Sequence, residues 1–243
     1  MSGAVNYPRG ERGPVSPVRG PAQRSLLIAT ETTAVGVCTI AAIRITMIAA
    51  RDAGFLWLLV PAILIAAAFV PTWLGRRAFP RIGLDRSHIR MVLVTVGCTC
   101  VCVLPMVLLG LWLLQSLRLP IPLRPAIEAP QNWLAWSLYQ FLYVAVAEEV
   151  FFRGYVQANM VKVLDRASWL PRRGRPWATV FVSAAFFALA HVVIQGQIIS
   201  AVTFLPGVLL AWLFMRTRTL LAPILFHGAA NVAYAFMAVM ILA

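Results

Sequence analysis

The 243-residue chain is 61% hydrophobic and only 12% charged, with a formal net charge of +13. Soluble globular domains sit nearer half apolar and a quarter charged, so the composition excludes an ordinary soluble enzyme. The positive charge does not point to nucleic acid: the cations are gathered in a few segments between apolar runs, the arrangement of juxtamembrane residues facing an anionic leaflet.

Residues 1–24 carry four Pro, four Gly and four Arg with almost nothing to bury, which reads as a disordered basic tail rather than a signal peptide. Seven apolar runs follow, near 25–50, 54–74, 91–114, 131–160, 178–195, 198–215 and 219–243. Each is about as long as a bilayer crossing requires, and the fourth is longer. The pattern predicts an all-α polytopic transmembrane bundle, with 25–243 as its helical domain. No inverted-repeat symmetry of the transporter kind is visible.

The linkers set the orientation. Arg9, Arg12, Arg19 and Arg24 lie in the tail, and Arg76, Arg77, Arg81, Arg86 and Arg90 in or beside the second linker. Lys162, Arg166, Arg172, Arg173 and Arg175 mark the fourth linker, and Arg216 and Arg218 the sixth. The alternate linkers hold only Arg51, Arg118 and Arg124, against Asp52 and Glu128. With seven spans every cation-rich segment falls on one side, which the positive-inside rule makes cytoplasmic. The N-terminus is therefore expected in the cytoplasm, in a multi-pass protein of a bacterial cytoplasmic membrane. Cys38, Cys98, Cys100 and Cys102 fall inside apolar runs; Cys98 and Cys100 point about 200° apart on a helix, so they read as packing residues without a metal or redox role.

An ionisable side chain at the centre of a bilayer costs at least about 2.5–3.5 kcal/mol, so each one is a functional candidate. Within the spans these are Glu31, Arg44, Glu148, Glu149, Arg153, His191 and His227, with Asn231 as a polar neighbour. Glu149 and Arg153 stand at i and i+4 and can neutralise each other across one turn. Glu148 is rotated about 100° away, on a face with Phe152 and Tyr155, and has no such local partner. A carboxylate left unpaired in an apolar site is suited to general acid–base work. The plain alternative is a structural ion cluster that fixes helix packing. His191 follows Phe187 by one turn, and His227 and Asn231 share a face of the last span. A lone histidine in a membrane is more often a helix–helix hydrogen bonder, but here both fall in the same half of the chain as the glutamate pair. Glu31 and Arg44 share no face and are expected to pair with other helices.

These residues resemble the CPBP family of intramembrane proteases, which includes CAAX prenyl endopeptidases and bacterial Abi proteins. The motif EExxxR is matched by Glu148, Glu149 and Arg153, FxxxH by Phe187 and His191, and HxxxN by His227 and Asn231. The match spans roughly 130–236, in motif order and on separate runs; Gln195 stands where the family often has Asn or another polar residue. The resemblance implies endoproteolysis at the membrane. In that picture Glu148, assisted by His191, activates a water, and His227 and Asn231 stabilise the oxyanion. Glu149, Arg153 and Phe187 support them. It leaves two options open, zinc held by Glu148, His191 and His227 or a metal-free glutamate mechanism. The expected partners are membrane lipid and a protein or peptide substrate. Competing readings are a catalytically silent scaffold or bacteriocin-immunity factor on the same fold, and a proton-coupled transporter.

Overall fold

The computed structural model describes residues 20–50, 55–83, 86–119 and 131–242. The described residues form helices with no strand among them. Helix α1 is Pro21–Ala49, with Pro21 in the first turn, where its missing N–H leaves no bond unmade. Residues 21–24, expected in the tail, therefore already belong to the first helix. The rest of the predicted tail, 1–19, lies outside the described residues, as do Arg51, Asp52, Arg124 and Glu128 of the linkers. Helix α2 is Leu56–Leu74, its first turn wound as a 3-10 helix over Leu56–Leu59. Helix α3 is Arg86–Ser116.

Helix α4 covers 133–164 without a break but not with one winding. It begins as an α-helix at Trp133–Tyr139, where the Asn132 side chain accepts a hydrogen bond from the Ala135 N–H at 3.0 Å and caps the start. It widens to a π-helix over Gln140–Ala145, tightens over Val146–Glu149, widens again over Val150–Gln157, and closes as an α-helix over Ala158–Leu164. Helices α5 (Arg175–Gln195), α6 (Ile198–Thr217) and α7 (Leu221–Leu242) complete the bundle.

Six of these helices are long and apolar enough to cross a membrane; α4, which carries Gln140, Glu148, Glu149, Arg153 and Gln157, is not among the six. The chain is an all-α, multi-pass membrane protein. Its outer surface presents large apolar side chains such as Val101, Met106, Leu134 and Leu205, as lipid contact requires. Cys38, Cys98 and Cys102 face that surface instead of packing inside, and Cys100 packs partly against the core. The core itself centres on Phe151, Phe152, Tyr155, Phe187, Leu210, Leu213 and Phe226.

Cross-links sort the two ends of the bundle. At one end the segment after α2 folds back under α7: the Leu220 and Leu221 N–H groups each donate to the carbonyls of Arg81 and Ile82, at 3.1 Å. These are helix-start donors that have no partner within α7 itself. Gly83 makes the approach possible, because its φ of +87° is left-handed and a Cβ there would lie 2.5 Å from Thr219 Cβ. At the same end Glu31 pairs with Arg77 and accepts from the Tyr155 hydroxyl at 3.0 Å. At the other end Arg44 donates to the Ile194 carbonyl at 2.9 Å, a cation on the last turn of α5. Tyr143 there donates to the Leu58 carbonyl. Glu31 and Arg44 thus have partners on other elements, as expected.

Candidate active site

The three motifs meet in the middle of the bundle. Arg153 and Glu149 are both fully buried, and Arg153 Nη1 donates to Glu149 Oε1 at 2.9 Å. A buried pair must satisfy its remaining groups to hold its place. Arg153 Nη2 does so by donating to the Gly207 carbonyl of α6 at 3.1 Å, and the guanidinium carbon lies 4.7 Å from the centre of the Phe187 ring. The arginine therefore ties α4 to both α5 and α6.

Glu149 Oε1 also receives His227 Nδ1 at 2.8 Å, bringing α7 to the same point. A carboxylate accepts only, so Nδ1 carries the hydrogen and Nε2 is turned away from Glu149. Nε2 lies 3.9 Å from Glu148 Oε2. The sequence pattern pairs Glu149 with Arg153 alone; its second partner was not legible there.

Glu148 occupies the adjoining position in α4. Its Oε2 is buried and has no hydrogen-bond partner among the described residues. Glu149 Oε2 and Arg153 Nε are likewise buried without a hydrogen-bond partner among the described residues, but of the three groups only the one on Glu148 belongs to a residue that lines a cavity. The side chain borders a cavity of about 240 Å³ whose wall also includes His191, Phe151, Phe152, Ala190 and Gln195. His191 Nδ1 sits 2.9 Å from the Phe187 carbonyl of its own helix. A carbonyl cannot donate, so Nδ1 bears the hydrogen, and in the neutral ring the lone pair is on Nε2. Phe187 supports both histidines, its ring centre lying 4.4 Å from that of His191 and 6.0 Å from that of His227.

Asn231 is placed otherwise. Neither it nor His227 lines the cavity beside Glu148 and His191, and the Asn231 Nδ2 donates to Gln140 Oε1 at 2.9 Å. Gln140, at the start of the first π stretch, belongs to no motif, and only the folded chain brings it to α7. The Tyr155 hydroxyl donates to Glu31 of α1, the helix whose Thr39, Ile40 and Ile43 also line the cavity beside Glu148. Gln195 does line the cavity, and its Oε1 accepts from the Ser200 hydroxyl at 2.5 Å.

The close contact of α4 with α7 rests on Gly228. A Cβ at that position would lie 2.6 Å from Phe141 Cγ and Cε1, so only glycine lets the Phe141 ring settle against α7 there.

Zinc in a catalytic site requires three protein ligands within about 2.0–2.3 Å of one point. Among the described residues no three His, Cys, Asp or Glu side chains are gathered in that way. Glu148, His191 and His227 as placed do not fit such a site, and no step below runs through a metal.

Residues 130–233 match the family model described as Type II CAAX prenyl endopeptidase Rce1-like. No curated protein and no solved structure matches the chain. The matched segment holds all three motifs and is similar to the CAAX prenyl endopeptidase family over those residues, in a chain whose six long apolar helices mark a multi-pass membrane protein. Residues 130–233 are Rce1-like, consistent with the CPBP family that the motifs resemble.

Proposed function

We propose that the chain is an intramembrane endopeptidase, seated in a bacterial cytoplasmic membrane, that hydrolyses a membrane-associated protein or peptide by a glutamate-activated water. The observation that carries this reading is Glu148 Oε2, buried and unpartnered beside a cavity and 3.9 Å from His227 Nε2. Glu148 takes a proton from water, and the resulting hydroxide attacks the peptide carbonyl. The proton then passes to the amide nitrogen as the C–N bond breaks, giving a carboxylic acid and an amine, which exchange one proton to end as carboxylate and ammonium. His191 Nε2, with its free lone pair on the same cavity wall, orients the water or relays its proton.

The oxyanion requires a donor. Two carboxylates face one guanidinium in the cluster, so a proton carried on His227 makes it neutral and turns Nε2–H into that donor. Glu149 positions His227, Arg153 positions Glu149, and Gln140 holds Asn231 on the flank. A silent scaffold would need the Glu149–Arg153–His227 network but not a free carboxylate beside a cavity.

The test compares the membrane and secreted proteomes of cells carrying the wild-type chain and Glu148→Gln at equal abundance. New protein termini present only with the wild type support the reading. Identical termini in both would sink it.

A further inference from the structure

We infer that a second cavity, among the basic ends of the helices, binds a phosphate diester that carries free hydroxyls, the chemistry of a phosphatidylglycerol headgroup. It is separate from the cavity beside Glu148 and does not depend on the protease reading.

This cavity, of about 250 Å³, lies between the segment after α2, the end of α4, the start of α5 and the end of α6. Arg81, Arg218 and Asp165 line it, and all three are exposed. Gln157 and Thr179 line it too, each no more than 3% exposed, with Phe214 as an apolar neighbour. None of the motif residues takes part.

The charged groups are placed by the backbone. The Arg81 carbonyl accepts from the Leu220 N–H at 3.1 Å, which fastens Arg81 to a residue two positions after Arg218. Arg218 ends α6 in the left-handed region, at φ +58°, with its N–H donating to the Phe214 carbonyl at 2.8 Å. Glycine is the usual residue at such a helix end, because a side chain there is strained. The strain is accepted here, and it leaves a guanidinium on the cavity wall. Asp165 is held as well: Arg175 donates to the carbonyls of Asp165, Ala167 and Leu170 and so pins the linker that carries it.

The inner wall can only accept. Gln157 Nε2 donates to the Ala211 carbonyl at 2.9 Å, which fixes the amide, and its Oε1 is buried without a hydrogen-bond partner among the described residues. Thr179 gives its hydroxyl hydrogen to the Arg175 carbonyl at 3.0 Å, so its oxygen is left as an acceptor. A buried acceptor without a donor is unfavourable, and a ligand hydroxyl would relieve it. The outer wall asks for the opposite. Two guanidinium groups against one carboxylate leave one net positive charge, and Pro176 on the wall marks the positive end of the α5 dipole. An anion at the mouth with hydroxyls behind it answers both halves, and a phosphodiester of glycerol carries one negative charge and such hydroxyls.

The depth of the cavity names the source. Trp169, in the linker before α5, and Trp177, in its first turn, are exposed at this end, and tryptophan settles at the membrane–water boundary. Basic pockets between spanning helices at headgroup level take anionic lipid. A cavity below the ~300 Å³ at which pockets for drug-sized ligands begin holds a headgroup and leaves the acyl chains in the bilayer. Choline and ethanolamine lipids have no net charge to match, and choline has no donor for Gln157.

The experiment uses the full chain, purified in detergent and stripped of lipid. Thermal unfolding is followed against phosphatidylglycerol, phosphatidylcholine, glycerophosphoglycerol and inorganic phosphate, and native mass spectrometry counts retained lipid. Phosphatidylglycerol should raise the unfolding temperature saturably, with one lipid retained per chain, and phosphatidylcholine should not. Arg81→Gln combined with Arg218→Gly should weaken that response at least ~10-fold in apparent affinity, as loss of charge-assisted bonds requires. Arg218→Gly relieves the strained position, so without lipid this single variant should unfold no earlier than the wild type, and a lost response then reports the missing guanidinium and not a damaged fold. Glycerophosphoglycerol acting as well as the lipid would support the site and assign it to a soluble diester; the lipid acting alone would support it and assign it to the bilayer. No response to either, a response to phosphatidylcholine or inorganic phosphate equal to that to phosphatidylglycerol, or a full response in the double variant would overturn the inference.

Discussion

His227 and Glu149 stand 78 residues apart in the chain and meet at 2.8 Å, with Arg153 on the same carboxylate oxygen. One acceptor thus holds the first and third motifs together and is shared between two donors. Removing it strands both.

Glu149→Ala should therefore be the most damaging change in the site. It leaves Arg153 buried without a counter-charge, a change that costs about 3–5 kcal/mol when a buried pair loses one partner. Membrane abundance and thermal unfolding in detergent measure it. Glu149→Gln keeps one acceptor for two donors and should fall between Ala and wild type.

Glu148→Gln should behave in the opposite way. Glu148 Oε2 makes no hydrogen bond among the described residues, so the amide disturbs little and the chain should accumulate normally. Cleavage should nonetheless fall by at least ~10²-fold, the low end of what a positioned base contributes. A variant that cleaves at the wild-type rate would show that the base is elsewhere.

Gly228→Ala probes the packing of α7 on α4. The added methyl overlaps the Phe141 ring, and overpacking of this kind costs about 1–3 kcal/mol. Combining it with Phe141→Leu should recover part of the loss. Additive losses in the double-mutant cycle would mean that the two residues do not press on each other.

Chelation tests the metal-free route. Since no three ligands converge among the described residues, incubation with a strong zinc chelator should leave cleavage unchanged. Activity lost to the chelator and restored by added zinc would require Glu148, His191 and His227 to close around the ion.

What the sequence made legible was set by distance along the chain. Six of the seven helices follow from apolar run length, α4 with its polar residues falling short of it, and Glu149–Arg153 follows from a spacing of four. The corrections come where tertiary structure intervenes. Helical periodicity assumes one winding, so the two π stretches in α4 carry no signal in it. Gln140 was not singled out because a glutamine near the end of a span carries no signal until Asn231, 91 residues on, is beside it. The cavity wall was hidden for the same reason, since Ile40, Ile43 and Trp57 look like ordinary lipid-facing residues in their own helices.

The fold-back of Arg81 and Ile82 onto Leu220 and Leu221 bears on how the molecule can be divided. The family resemblance covers 130–233, yet the donors that open the last helix are satisfied by carbonyls from a segment outside it. Tyr155, within the matched part, likewise leans on Glu31 of the first helix, and α1 and α2 supply half of the wall around Glu148. The amino-terminal helices are thus structural co-owners of the half that carries the motifs. A polypeptide trimmed to the recognisable motif region would unseal its reaction chamber and lose the footing of α7 in one stroke, and inserting residues between Arg77 and Gly83 should disable the site from a distance.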